Sequence, residues 1–457
     1  MKDITPGVFR TYDVRGIVDT DFDPEWVERF GQACGAYLLA RGFRQAVVGH
    51  DARLSSPVYQ ERVARGLAGT GVEVTTIGLV STPMCYFACK HLGTEAGVMV
   101  TASHNPPEFN GFKVVAGPST IHGDAIRELY RLMAAGDFPT GQGKITARDI
   151  TAEYLAAVTD GVRLSRPLRV VVDGGNGAGG EITAAALEAI GAEVIRLYCE
   201  PDGTFPNHHP DPVVVENSAD LIATVRKLHA DCGLGLDGDG DRLGVVDETG
   251  KLLFGDQLLA IYARDLLAAR PGATVIGEVK CSHLTYRDIA AHGGNPVMAP
   301  TGHSLIKARM RETGALLAGE MSGHMFFADR YFGYDDATYA AVRFLEVLDH
   351  HPETTAHGLL SDWPVTCNTP EIRRDCPDDL KARVVAGVKA VLAAEHEIID
   401  TDGVRVVFAD GWGLVRASNT QPVLVLRFEA EGPQRLAEIQ ALVETRLSEV
   451  LAACGAA

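Results

Sequence analysis

Residues 168–194 read LRVVVDGGNGAGGEITAAALEAIGAEV, and this stretch decides the fold. A β-branched run, Leu168–Asp173, enters a glycine-rich loop. A helical segment, Ala184–Ile190, follows, and Gly191-Ala-Glu-Val opens a second strand. Strand, helix, strand in so short a span is a βαβ unit, because parallel strands need a crossover and the crossover lays a helix on the sheet. The same order recurs on both sides. Upstream, Gln45–Gly49 leads through a polar loop and helix Pro57–Ala68 to Gly71-Val-Glu-Val. Downstream, Ala273–Val279 leads through helix Leu284–Ala291 to Gly293-Gly-Asn-Pro-Val. The strand-to-strand offsets are 27 from Val47 to Val74, 23 from Val171 to Val194 and 22 from Val275 to Val297. Similar periods mark an internal repeat. The expected fold is α/β, with three related domains in tandem and parallel or mixed sheets.

Beyond Pro364 the pattern changes. Pro377–Glu395 reads as one amphipathic helix with Val384, Val385, Val388, Val391 and Leu392 on one side. Strand runs Val404–Ala409 and Pro422–Ala430 follow, then a final helix Pro433–Ala453, giving a smaller α+β module. Joins are expected at the Gly/Thr-rich 135–147, the turn 248–250 and Asp362-Trp-Pro. The expected domains are therefore 1–147, 148–250, 251–363 and 364–457.

The 457 residues suit about three or four domains at roughly 100–200 residues each. Apolar residues at 46% and charged residues at 22% are those of an ordinary globular chain, neither disordered nor fibrous. A net charge of −18 argues against a partner that is nucleic acid or anionic lipid, since both need a basic face. It leaves room for an anionic substrate, because a few basic side chains in a cleft reverse the local potential. The nine cysteines are odd in number with no Cys-x-x-Cys pair, which fits a reducing compartment. Cys85 and Cys89 read as buried thiols on one helix. The N-terminal MKDITPGVFRTYDVRG has no apolar signal core, and no apolar run reaches about 20 residues. The expected location is cytoplasmic, away from membranes.

Glycine-rich loops are weak guides in a chain with 49 glycines. Gly175-Asn-Gly177-Ala-Gly-Gly180 matches GxGxxG, but so does Gly233-Leu-Gly235-Leu-Asp-Gly238. A dinucleotide site also needs an acidic residue after the second strand, and Glu200 is near that distance, so this alternative stays open on these residues alone. A tight strand-to-helix turn is the simpler reading.

Leu234–Arg242, LGLDGDGDR, carries more. An apolar strand ends in Asp237, Asp239 and Asp241, and alternation along an extended backbone would point all three carboxylates one way. Only a cation makes that tolerable, and all-oxygen donors select a hard ion such as Mg²⁺. The segment Gly97–Lys113 is GVMVTASHNPPEFNGFK: a buried strand, Val98–Val100, delivers Ser103 and His104 into a rigid loop, with Lys113 near in sequence. Ser103 is placed as a nucleophile or phosphate carrier, though a Ser-His dipeptide is also an ordinary turn motif and no G-x-S-x-G elbow is present. Arg416-Ala417-Ser418-Asn419-Thr420 offers a guanidinium, two hydroxyls, an amide and backbone N–H groups, a set that suits phosphate. Gly319-Glu320-Met321-Ser322-Gly323-His324 follows strand Ala315–Ala318, with Glu320 and Ser322 to one side, able to meet two sugar hydroxyls. Each loop ends a strand, where α/β sheets bind ligands. Together they describe phosphoryl transfer on a phosphorylated polyol.

Over its whole length the chain resembles the α-D-phosphohexomutase superfamily, and most closely its bacterial phosphomannomutase/phosphoglucomutase members. TASHNP resembles the active-site phosphoserine loop, which implies that Ser103 carries phosphate. DGDGDR resembles the Mg²⁺ loop, implying one Mg²⁺ per chain on Asp237, Asp239, Asp241 and the Ser103 phosphate. GEMSGH resembles the sugar loop, implying Glu320 and Ser322 on the 3- and 4-hydroxyls beside Met321 and Gly323. RASNTQP resembles the phosphate loop, implying Arg416, Ala417, Ser418, Asn419 and Thr420. The resemblance also places Tyr12, Arg15, Arg242, Lys280 and His303 in a central active-site cleft, and offers His104, Lys113 and His324 as acid–base candidates. It matches the glycine-rich loop of the second domain too, which removes the dinucleotide reading. Phosphoglucosamine mutases resemble GEQSGH with Ser-Gly-Thr-Glu-Pro, so Met321 and Asn419 favour mannose and glucose phosphates. The implied reaction interconverts hexose 1- and 6-phosphates through a hexose 1,6-bisphosphate intermediate and activator, in a monomer or weak dimer. A non-catalytic sugar-phosphate binder on the same fold would be expected to lack Ser103 or a metal carboxylate, and neither is missing.

Overall fold

The computed structural model describes residues 1–418 and 421–455. Its first three sheets share one construction. In the first, strand Gln45–His50 lies parallel between Glu73–Leu79 and Ala96–Val100, and Phe109–Ala116 returns antiparallel against Ala96–Val100. In the second, Arg169–Asp173 lies between Glu193–Leu197 and Cys232–Leu236, with Leu243–Asp247 returning antiparallel. In the third, Thr274–Glu278 lies between Asn295–Ala299 and Leu317–Gly319, with Met325–Phe327 returning. The three expected βαβ units are the first parallel pair of each sheet. Their second strands start about two residues later than the sequence suggests. The cause is glycine at the helix ends: Gly71, Gly191 and Gly293 all have positive φ, and Gly191 caps helix Gly180–Ile190 in the left-handed region.

This shared construction positions the site. The loops 101–108, 237–242 and 320–324 all join the third parallel strand of a repeat to its antiparallel return. Three of the four motifs therefore occupy the same topological place in three domains, at the carboxyl ends of the strands.

The last domain is an antiparallel sheet backed by helices Asp378–Leu392 and Pro433–Ala453. Its helix 378–392 buries Val384, Val388 and Leu392, one every four residues, whereas Val391 is 38% exposed, off the stripe where the sequence reading put it. The strand Gly411–Ala417 was not legible, because two glycines and Trp412 interrupt its alternation. Arg416 and Ala417 close that strand, and the next strand is Val423–Ala430.

One hydrophobic core runs through the first three domains, including Phe87 and Cys89, Val170 and Leu234, and Leu258 and Phe344. The first domain adds an aromatic core around Trp26, Phe30 and Phe112. The last domain has a core of its own. Cys85 and Cys89 are buried on helix Thr82–His91, and all nine cysteines are free. Among the described residues no helix is long and apolar enough to cross a membrane.

Candidate active site

Strand Cys232–Leu236 is buried throughout and ends at Asp237. The chain then turns back. Gly240 has φ +72° and its amide donates to Asp237 O, while Asp237 Oδ1 accepts from the amides of Asp241 and Arg242 at 3.1 and 3.2 Å. The three carboxylates thus converge through a tight turn rather than through the alternation of an extended strand. One oxygen from each of Asp237, Asp239 and Asp241 lies within 4.8 Å of the others, and all three residues are fully buried.

Clustered buried carboxylates repel one another unless a cation joins them. Lys113 Nζ donates to Asp239 Oδ2 at 2.7 Å and Asp241 Oδ2 at 2.5 Å. Burial disfavours its charge, but these carboxylates outweigh that and hold the ammonium above its ordinary pKa. Burial, aided by the charges of Asp239 and Asp241, pushes the Asp237 carboxyl well above the usual range. Burial acts the same way on Asp241, yet Lys113 and His324 overcome it and pull that group well below. Asp239 Oδ1 is buried without a hydrogen-bond partner. An orphaned oxygen in a set of three all-oxygen donors fits a hard divalent cation.

Ser103 faces this turn from the first domain. Its Oγ donates to Asp237 Oδ2 at 2.8 Å and lies 3.1 Å from His104 Nδ1. Its φ is +50°, a left-handed conformation that costs a residue with a Cβ on the order of 1 kcal/mol. Burial, reinforced by Arg242 and Arg15, holds the His104 imidazole well below its ordinary pKa. Arg15 donates to Asn105 Oδ1 and to Asp13. Lys113, close to Ser103 in sequence, bonds the metal-loop carboxylates and not the serine.

Glu320 and Ser322 meet on one imidazole ring. His324 Nδ1 lies 2.7 Å from Glu320 Oε2 and 3.2 Å from Ser322 Oγ, while its Nε2 lies 3.1 Å from Asp241 Oδ1. Burial would lower the His324 pKa, but Asp241 and Glu320 lift it to about 9. This imidazole therefore ties the sugar loop to the metal loop. Gly323 has φ +95°, and a Cβ there would sit 2.6 Å from Leu243 O, so the loop can close only on glycine. The Met321 amide donates to Glu278 Oε1. Arg242 stands 3.9 Å from Asp237, with its Nε 3.3 Å from His324 Nε2.

Across the cleft, Tyr12 packs edge-on to His303 and donates to Thr301 O at 2.8 Å. Lys280 lies between Glu278 and Glu371. Arg416 Nε donates to Asp402 Oδ2 at 2.9 Å. In the phosphate loop, the Ser418 amide donates to Val423 O and the Gln421 amide to Ser418 Oγ, so these two N–H groups are not free as expected. Asn419 and Thr420 lie outside the described residues.

The glycine-rich loop at 174–180 is filled by protein. Ala178 N donates to Gly238 O, and a Cβ at Gly177 would sit 2.7 Å from Gly238 O. Its glycines let it press against the metal loop. Sequence reasoning missed several contributors. Thr82 caps the metal loop, its Oγ donating to Asp239 Oδ2 and its amide to Asp239 O. Asp335, fully buried, accepts from Lys307 Nζ at 2.9 Å and lies 3.2 Å from His303 Nδ1. Single polar residues in loops carry no motif; only the contact reveals them.

Four family models match in chain order. They describe phosphoglucomutase/phosphomannomutase alpha/beta/alpha domains I, II and III over residues 6–140, 152–250 and 254–365, and the C-terminal domain over 371–445. The chain is 45% identical over 444 residues to a phosphomannomutase/phosphoglucomutase of Pseudomonas aeruginosa, covering 97% of this chain and 96% of that one. It is 43% identical over 445 residues to a phosphoglucomutase of Neisseria gonorrhoeae, covering 96% of each. A crystal structure of a phosphoglucomutase/phosphomannomutase family protein from Burkholderia thailandensis superposes with a TM-score of 0.91 at 39% identity, covering 100% of this chain and 98% of that one.

Proposed function

The chain belongs to the phosphoglucomutase/phosphomannomutase family, and from that premise we propose how its residues work. It is an enzyme, a phosphotransferase of the mutase type in the isomerase class. It interconverts hexose 1-phosphate and hexose 6-phosphate, with mannose and glucose as the hexoses. The observation that carries this reading is Ser103, at a strand end, with Oγ 2.8 Å from one of three clustered carboxylates.

Phospho-Ser103 gives its phosphoryl group to the free hydroxyl of the bound hexose monophosphate. The P–Oγ bond breaks, an O–P bond forms on the sugar, the hydroxyl proton passes to a base in the cleft, and an acid there returns a proton to Ser103 Oγ. The hexose 1,6-bisphosphate then turns end for end, and the other phosphoryl group returns to Ser103. Traces of the same bisphosphate prime the serine. Asp237, Asp239 and Asp241, with the Ser103 phosphate, would hold one Mg²⁺, which when bound neutralises charge on the transferring group.

His104 Nδ1, 3.1 Å from Ser103 Oγ, is placed to take and return the proton of that oxygen. His324, held between Glu320 and Asp241, fixes the carboxylate that with Ser322 orients a sugar hydroxyl. Lys113 and Arg242 supply positive charge beside the carboxylates. Arg416, Ala417, Ser418, Asn419 and Thr420 hold the phosphate that is not reacting. Either phosphate of the intermediate fits there, so this loop reads phosphate rather than sugar. Tyr12, Arg15, Lys280, His303, Met321 and Gly323 line the remaining cleft. The domain bounds 1–147, 148–250, 251–363 and 364–457 give each domain one loop. The enzyme acts in the cytoplasm as a monomer or weak dimer.

Phosphorus NMR of purified protein with mannose 1-phosphate, Mg²⁺ and a trace of glucose 1,6-bisphosphate tests this directly. A 6-phosphate resonance should grow in; an unchanged spectrum for both mannose and glucose substrates overturns the reading.

A further inference from the structure

Strand Gln45–His50 of the first domain runs into the segment HDARLSS, and nothing in its pattern marks Arg53. Its side chain is nevertheless fully buried, which for a guanidinium is tolerable only when every N–H finds an acceptor. All five do. Nε donates to Asp51 Oδ2 at 3.2 Å. Nη1 donates to Pro106 O at 2.6 Å and Phe109 O at 2.9 Å, and Nη2 donates to Ser103 O at 2.8 Å and Asn105 O at 2.6 Å. Four of the five bonds thus end on backbone carbonyls, three in the loop that carries Ser103 and the fourth on Phe109, the first residue of the strand that follows it.

Arg53 is itself fixed. Asp51 Oδ1 accepts from the Arg53 amide and from Ser56 Oγ, so the carboxylate that orients the guanidinium is anchored twice more. Phe205, from the second domain, closes over the group with its ring centre 5.2 Å from the guanidinium carbon.

The geometry points to Arg53 as the positioning residue for Ser103: it holds the serine in its left-handed conformation, with Oγ aimed at Asp237, without touching substrate. This inference rests on Ser103 being the phosphate carrier. A left-handed serine relaxes unless its surroundings over-determine it. Here its carbonyl is gripped by Nη2 from one side, while Gly238 backs it on the other, where a Cβ would sit 2.5 Å from Ser103 O. Its amide donates to Thr101 Oγ1. With both peptide groups pinned, the direction of Oγ is set. A fork that satisfies four carbonyls at once is a task a lysine cannot perform, having one point charge and three N–H groups.

Arg53→Lys and Arg53→Gly separate this role from simple support of the fold. Misplacement of a reacting atom by about 1 Å costs up to roughly 100-fold in rate. Arg53→Lys should therefore lose roughly 10- to 100-fold in kcat, while KM for mannose 1-phosphate moves less than about threefold, because the sugar and phosphate loops are untouched. Phosphorylation of Ser103 by glucose 1,6-bisphosphate, followed by intact mass, should slow by the same factor. Arg53→Gly leaves a cavity shaped for guanidinium, and millimolar guanidinium should restore part of its kcat but none of the kcat of Ser103→Ala. Wild-type kcat in Arg53→Lys overturns the inference. So does a parallel loss in kcat, KM and thermal midpoint without rescue, which would mark a purely structural residue. Should Arg53→Gly fail to fold, the kcat and KM of Arg53→Lys decide alone. Undiminished turnover in Ser103→Ala would instead sink the carrier reading, whatever Arg53 does.

Discussion

Between the first three domains the joints share an apolar core, with buried hydrogen bonds and ion pairs such as Lys113–Asp239 and Tyr154–Asp336 beside it. Tyr86 and Phe87 of the first domain reach Tyr154 in the second and Tyr334 in the third within one continuous core. Between the third domain and the last the joint is largely made of charged and polar groups. Arg405 donates to Val279 O and Cys281 O, Arg427 to Lys280 O, and Ser282 to Glu429, around a small apolar patch of Val279, Trp412 and Leu414. A shared apolar core locks three domains into one body, because parting them would expose surface worth roughly 25 cal/mol per Å². A hydrogen-bonded seam costs much less to open, since water replaces its partners. The serine, metal and sugar loops belong to the locked body and the phosphate loop to the docked one. In the proposed mechanism, chemistry that needs fixed distances sits on the first, and retention of a phosphate whose sugar must turn sits on the second.

The contrast is broken most directly at Ser103. Ser103→Ala should lose more than about 1,000-fold in turnover with an unchanged thermal midpoint, since removal of a covalent carrier is not made good by its neighbours. Intact mass should show one labile phosphate on wild type and none on the variant. Phosphate found elsewhere would move the chemistry off the locked body.

At the seam, Arg405→Ala leaves two buried carbonyls without donors and removes a guanidinium lying 3.8 Å over the Trp412 ring. At about 1–3 kcal/mol for each unsatisfied group, docking of the last domain should weaken by on the order of 3 kcal/mol. Limited proteolysis near residues 361–371 should accelerate while fragments of the first three domains persist. Uniform loss of all domains together would show that the seam is no weaker than the core.

Arg416→Ala tests the docked loop itself. A bidentate charge-assisted contact of about 1.5–3 kcal/mol corresponds to roughly one to two decades in binding, equal for mannose and glucose phosphates. Glu320→Ala, on the locked body, should damage kcat as well as KM. If Arg416 changed sugar preference and Glu320 left turnover intact, the division of labour between the two bodies would be reversed.

The smallest effect concerns pH. Burial would raise the Glu371 carboxyl, but Lys280 and Arg373 outweigh it and bring it from 4.5 to about 2. A depressed folded pKa gives stability that is present above the unfolded value and lost as pH falls from 4.5 towards 2. Because its side chain is 31% exposed, screening reduces the contribution to about 1 kcal/mol. Denaturant midpoints of wild type and Glu371→Gln should differ at pH 6, differ less at pH 3 and converge only as pH falls to about 2; a constant gap would remove Glu371 from the seam.

Much of this contrast is visible along the chain, for local reasons. Leu168–Val194 declares its βαβ unit through β-branched runs and glycine turns, and each motif loop follows an apolar strand that reads as one. What is not local is not legible. Whether Ala96–Val100 pairs on one side of Gln45–His50 or the other depends on residues 50 positions away. The carboxylates of Asp237, Asp239 and Asp241 were read correctly as a cluster, but for the wrong geometric reason, since turn and strand both bring alternate residues together. Arg53 and Asp335 have no signature at all, because their partners are carbonyls and side chains of other segments.

Helix Thr82–His91 has eight buried residues on both of its faces, and its outer cover comes from far along the chain. Tyr334 is synthesised roughly 240 residues after the helix, which at about 5–20 residues per second means a wait of roughly 10–50 s on the ribosome. During that interval Tyr86 presents an uncovered aromatic surface, with Phe87 beside it packed only by Tyr154 of the second domain. The first domain can complete its strands and its own aromatic core around Trp26 at once, yet it stays sticky until the third domain emerges. Nascent chains halted before residue 334 should therefore recruit holding chaperones, and chains released just beyond it should not.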